Sequence, residues 1–347
     1  MLSSRLVVLV VLWVGVACNN QPASVTLDVQ DGQRAPVAPL VQILSANEAA
    51  REIGLDTVEH FFDQITATDI HIQTKGRWLQ AGLPLHELRT KYKLYLATTV
   101  QDFSADERTF VQSSMEEVVR RIQNFDEALA AMPIKIIKVA GQDYGNSVYY
   151  TRQNAIVIPA NVLQNPQKDR FIDVMIHEYF HIYSRMNPHI RKALYEAIGF
   201  HARSITSIPA DIQKNLLLNP DGVNYNYSIE LKSKFDKTQI DAVSLIYAPT
   251  TYTPEKPHFM EYLQHQFFEI DAQGALVKKI DLDQTDFFEK VGDNTNYIIH
   301  PDEILADNFI ILIKEHNDNT AKPRSAWGQK ILDSIASILK TSTNIAQ

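Results

Sequence analysis

The sequence predicts a helix-rich α+β protein with a small mixed sheet, and three observations predict it. Glycine is scarce, at 12 of 347 residues, so little of the chain is built on turns that require it. Long stretches place apolar residues at helical spacing, most clearly from Lys168 to Asn187. A few short segments have strand character and are bounded by proline or by turn residues.

The chain opens on a targeting segment. Arg5 supplies a positive start, and Leu6 to Val16 is an apolar run too short to span a bilayer comfortably. It ends at Gly15-Val16-Ala17-Cys18, which resembles a bacterial lipoprotein cleavage site, although Gly15 departs from the usual branched aliphatic. Residues 1–17 therefore read as a signal peptide, with Cys18 as the lipid attachment point. Ordinary secretory cleavage after Ala17 is the alternative. Cys18 is the only cysteine, so neither a disulfide framework nor a cysteine metal site is expected. Residues 18–42 carry Pro22, Pro36 and Pro39 without helical periodicity and read as a flexible tether. The anchor points to the bacterial cell envelope, with the outer membrane preferred because Asn19 is not the retention aspartate seen in some bacteria.

Removing residues 1–17 subtracts Arg5 alone, which takes the formal charge from −8 to −9. An acidic chain without a basic cluster offers no electrostatic case for nucleic acid or for an anionic lipid surface. Residues 43–347 are long enough for one large domain, expected as two lobes of about 43–200 and 201–347.

Within it, Ser104 and Glu107 form a capping box that opens a helix running to about Asn124. Ile134 to Val139 is a strand after Pro133, and Tyr149 to Pro159 is a strand or hairpin. The apolar helix from Lys168 follows, with Pro188 as its stop signal. Phe267 to Ile280 reads as a hairpin around Asp271-Ala272-Gln273-Gly274. Trp327 to Leu339 closes the chain as an amphipathic helix, and the C-terminal lobe is expected to be mainly helical.

The helix from Lys168 carries His177-Glu178-Tyr179-Phe180-His181. Residues i and i+4 share a helix face, so both imidazoles can reach one metal ion. Glu178 then stands beside that ion, where a carboxylate can take a proton from a water held there. About 0.02 such matches are expected by chance in this composition, so the motif is informative. The bland alternative is two core histidines beside a buried glutamate, and an unpaired buried charge is costly.

With this motif the chain resembles the zincin metallopeptidases. The metzincin continuation is missing, because Ile182 to Asn187 supplies neither its glycine nor its third histidine, and His189 lies beyond Pro188 at no recognised spacing. Far downstream stands His300-Pro301-Asp302-Glu303-Ile304-Leu305-Ala306-Asp307. Pro301 suits the first turn of a helix, and Asp302 and Glu303 suit its positive end. Glu303 and Asp307 look like the second signature of the gluzincins. The resemblance implies Zn2+ held by His177, His181 and Glu303, with Asp307 accepting a hydrogen bond from the outer nitrogen of a ligand histidine. Glu196 is the competing third ligand.

It also implies a cleft between lobes with an edge strand to which substrate adds; Tyr149 to Pro159 fits that strand and an ordinary core strand equally. Glu178 would be the general base. His300 and Tyr297 lead as donors to the oxyanion, ahead of Tyr195 and His201. The expected activity is that of a membrane-anchored zinc peptidase acting on peptide or protein substrates. The alternative is a non-catalytic zinc-binding surface lipoprotein serving as a binding scaffold.

Overall fold

The computed structural model describes residues 40–345, apart from 142, 146 and 319–321. The signal peptide, Cys18 and most of the tether lie outside the described residues. The last tether positions do not: β1 (Val41–Ile43) takes Val41 and Gln42 into a sheet.

Four helices follow, α1 (Ala46–Glu52), α2 (Phe61–Gln64), α3 (Ala67–Gln73) and α4 (Leu85–Thr99), then β2 (Val100–Gln101). The capping box is present as expected: Glu107 N donates to Ser104 Oγ, and Ser104 N to Glu107 Oε2, at the start of α5 (Ala105–Phe125). Next come β3 (Ile134–Val139), β4 (Tyr150–Arg152) and β5 (Ala155–Pro159). They form a mixed sheet in the order β1-β3-β5-β4, with β2 also on β3. β3 runs parallel to β1 and β5, while β4 is antiparallel to β5.

This sheet is covered on both faces. Ile134, Ile136, Ile156 and Ile158 join the core that includes α5, whereas Ile137, Val139, Ala155 and Val157 join the core of α1 to α4. Side chains alternate across a strand, so the near-continuous apolar runs of β3 and β5 are what two covered faces require. Each fully buried isoleucine contributes about 1.5–3 kcal/mol of transfer free energy.

The helix of the motif is α6 (Lys168–Met186), and it stops before Pro188, whose ring disfavours helical backbone at Asn187. Pro188 is also the first residue of the next helix, α7 (Pro188–Ala197), where its missing N–H costs nothing. The short α8 (Ala210–Gln213) lies between the first two strands of a second sheet. That sheet is antiparallel, with β6 (Phe200–Ala202), β7 (Tyr227–Lys232), β8 (Gln239–Tyr247), β9 (Gln264–Ile270) and β10 (Leu276–Ile280) in the order β10-β9-β8-β7-β6. The expected hairpin is β9–β10. Three further helices complete the chain, α9 (Phe287–Val291), α10 (Pro301–Asp318) and α11 (Ala326–Ile345).

The α+β class is therefore present, with two corrections. The C-terminal half is not mainly helical, because residues 200–280 build a five-stranded sheet. Nor do 43–200 and 201–347 separate as lobes: α10 packs on α5 and α6, α11 packs on α7, and one apolar cluster runs from Phe103 to Leu339. In this second sheet the sequence showed only the last hairpin, since its other strands gain their faces from packing. Among the described residues no helix is long and apolar enough to cross a membrane.

Candidate metal centre

The site is built where α10 lies antiparallel against α6. Phe180 and Phe309 are both buried in that contact, with ring centroids 5.3 Å apart. This packing sets His177 opposite Glu303 and Asp307, and His181 opposite Asp302 and Glu303.

His177 Nε2 lies 3.1 Å from Glu303 Oε2, and His181 Nε2 lies 3.3 Å from the same oxygen. The donor atoms of His177, His181 and Glu303 all fall within 4.8 Å of one another. The outer nitrogens are engaged as well. His177 Nδ1 is 3.1 Å from Asp307 Oδ1, and the other Asp307 oxygen accepts from the Thr295 hydroxyl. His181 Nδ1 is 2.9 Å from Asp302 Oδ2.

By sequence Asp302 is only a helix-terminus charge, and the structure gives it more to do. It is fully buried and accepts from Ser184 Oγ at 2.6 Å and Tyr195 OH at 2.9 Å, with Arg191 Nε 3.7 Å away. Burial works against its charge, but Arg191 and the His181 hydrogen bond outweigh that and hold it well below the usual carboxylate range. Asn219 was also missed; its Nδ2 donates to Glu303 Oε1 at 2.6 Å, leaving Oε2 to face the histidines.

A metal ion fits these residues on proton counting. With Nδ1–H of each histidine donated to an aspartate, each Nε2 presents a lone pair, and both face a carboxylate oxygen that is also only an acceptor. His181 Nε2 is buried with no hydrogen-bond partner among the described residues. Three converging acceptors need either extra protons or a cation. In the metal-free protein, protons serve: His177 is desolvated, yet Asp307 and Glu303 push it up to about 9. Two imidazoles and one carboxylate are the donor set that suits zinc with a position left open.

Glu178 is buried beside this cluster, and its Oε2 has no hydrogen-bond partner among the described residues. Burial, then the carboxylate of Asp221, pushes its carboxyl well up. Asp221 is a further residue that the sequence did not single out. One of its oxygens, with Glu178 and His181 donor atoms, forms a second group within 4.8 Å. Its Oδ1 accepts from both Thr151 N and Thr151 Oγ1 at 2.6 Å. β4 is indeed an edge strand, but this bond takes the outward N–H of Thr151, so strand addition is closed at that residue.

Arg185, four residues past His181 and on the same helix face, clamps this arrangement. Its guanidinium donates to Thr151 Oγ1 and to the carbonyls of Gln153, Pro220 and Asp221, and it pairs with Glu59. Glu59 also holds Arg191 at 2.6 Å. The helical spacing from His181 was the one signal that could have marked Arg185.

Of the remaining sequence candidates, Tyr297 is at the site, its ring stacked on His177 at 6.3 Å and 25°. The residue is 44 % exposed overall, yet desolvation against the site, then Glu303 and other site carboxylates, holds the phenol neutral. His300 is corrected. It is buried with Nδ1 accepting from Asp302 N and Nε2 against the Asn224 carbonyl, each at 3.1 Å, so it caps α10 and has no free nitrogen for an oxyanion. Gly222 lies so close that any Cβ there would overlap the His300 ring. Glu196 is exposed and paired with Lys192, which removes it as a ligand. Tyr195 is committed to Asp302, His201 sits on β6 against Ser228, and His189 is exposed on α7. Compared with protein-family models, curated proteins and solved structures, the chain gives no match.

Proposed function

We propose that the protein is a zinc-dependent peptidase of the gluzincin kind, tethered to the bacterial cell envelope through a lipid on Cys18. One observation carries this reading: three acceptor atoms from His177, His181 and Glu303 converge beside buried Glu178, whose Oε2 has no hydrogen-bond partner among the described residues. When bound, zinc supplies a Lewis acid that polarises the scissile carbonyl and acidifies water.

The chain's own residues do the rest. Glu178, desolvated and therefore basic, accepts a proton from the attacking water as the new C–O bond forms. It returns that proton to the leaving nitrogen as the C–N bond breaks. Tyr297, neutral and stacked on His177, donates its hydroxyl to the charge that develops on the carbonyl oxygen. Asp302 and Asp307 keep both imidazoles in the tautomer whose Nε2 is free to bind.

The test compares the chain with its Glu178→Gln variant on a peptide library read by mass spectrometry, with zinc content measured for both. Equal zinc in the two proteins and zinc-dependent cuts by the parent alone are expected. Full cleavage by Glu178→Gln would sink the mechanism. Zinc binding without cuts by either protein would favour the binding scaffold, and cuts confined to purified peptidoglycan would move the substrate to a cell-wall amide.

A further inference from the structure

The face of α6 that carries the motif continues toward the helix start. Arg170, Phe171 and Val174 lie one to two turns before His177 and Glu178, and they form one wall of a cavity of about 320 Å3. Tyr149, Asn161, Val162, Gln164 and Pro166 contribute opposite walls. The volume is at the lower end of ligand pockets, about 300–1,000 Å3, which suits one or two residues of a peptide.

Two features give this cavity a chemistry. Arg170 is the only charged residue among those that line it, in a protein of net charge −8. It is exposed, and it makes no salt bridge or hydrogen bond among the described residues. The cavity neighbours the candidate centre along α6, because Val174 on its wall stands one helical turn before Glu178. The Tyr149 hydroxyl, also on its wall, is pushed up to about 12 by burial, with Glu178 raising it and Arg170 lowering it. Asn161 donates to Ser147 Oγ at 3.1 Å, and its Oδ1 is buried without a hydrogen-bond partner among the described residues.

We propose that this cavity is a substrate subsite in which Arg170 selects a carboxylate, so that the preferred substrates are peptides with a carboxylate within one or two residues of the cut bond. An arginine fork matches a carboxylate bidentately, and nothing on the cavity wall competes for it. An Asp or Glu side chain and a free peptide C-terminus present the same chemistry. This inference rests on the peptidase reading, naming the substrate class of that same site.

The experiment uses the full chain with matched peptides carrying Asp or Glu, Asn or Gln, or Lys around the cut, each as free acid and as C-terminal amide. A preference of about tenfold to a hundredfold in kcat/KM for carboxylate-bearing peptides is expected, the size of a charge-assisted hydrogen-bonded pair. Arg170→Ala should bring the acidic-to-neutral ratio toward one, and Arg170→Glu should turn the preference toward Lys. Loss of the preference on amidation alone would assign the carboxylate to the C-terminus; its survival would assign it to the side chain. Binding of a fluorescent acidic peptide to Glu178→Gln, followed by anisotropy, should weaken about tenfold when Arg170→Ala is added. Cleavage with no dependence on Arg170 would overturn the subsite and leave the peptidase reading standing. No cleavage of any peptide, with no Arg170-dependent binding, would overturn both.

Discussion

The two histidines of the candidate metal centre meet aspartates through the same nitrogen, at different depths. His181 and Asp302 are both fully buried, and Asp302 is surrounded by Ser184, Tyr195 and Arg191. His177 and Asp307 sit at the rim, where the Asp307 side chain is 29 % exposed. A buried carboxylate survives only with a complete set of donors, whereas a rim carboxylate can use water. The inner pair is thus part of the fold, and the outer pair is an adjustable support for one ligand.

Breaking the inner pair should cost most. Asp302→Ala leaves His181, Ser184 and Tyr195 without their acceptor and removes the charge beside Arg191, and a loss of about 3–5 kcal/mol in urea denaturation is expected. A loss below about 1 kcal/mol would show that water replaces the carboxylate and that depth is not the distinction. Zinc affinity should rank the two next. Removing a partner of a ligand histidine costs about 10–100-fold, with Asp302→Asn at the upper end and Asp307→Asn at the lower, measured by competition with a chromogenic chelator. The reverse order would place the decisive support at the rim.

The pH response sharpens the contrast further. His177 is held at about 9 in the metal-free protein, above its ordinary value, so its protonation stabilises fully below about pH 6.5 and that contribution is lost as pH rises through about 9. Asp302 is depressed, so its contribution is present above about pH 4 and is lost only as pH falls through its lower folded value. The urea midpoint of metal-free protein should therefore decline between about pH 6.5 and 9, and Asp307→Asn should flatten that decline. Zinc affinity should rise over the same window, because binding needs both Nε2 atoms deprotonated. A metal-free midpoint that rises with pH there would remove His177 from the account. The smallest effect expected is on stability in Asp307→Ala above about pH 9, where His177 is neutral with or without Asp307, within about 1 kcal/mol by urea denaturation.

Much of the frame was legible because it is written in local rules. The Ser104–Glu107 box, the apolar period of α6 and the proline at the start of α10 act within a few residues, and each marked a real boundary. So did the spacing that puts His177 with His181 and Glu303 with Asp307 on one face each. The second sheet was mostly missed, since β6, β7 and β8 depend on partners for their exposed and covered faces.

The sequence by itself determined which side chains each helix would present and on which face, because helical geometry follows from spacing alone. Only the tertiary structure decided which of them meet. His177 and Glu303 are 126 positions apart, and Asp221 reaches Thr151 across 70. It was also the packing of α10 on α6 that separated neighbours such as His300, Asp302 and Glu303 into a helix cap, a buried anchor and a candidate ligand. Their side chains leave adjacent backbone positions in different directions, and what each one touches is set by elements that the local sequence does not contain.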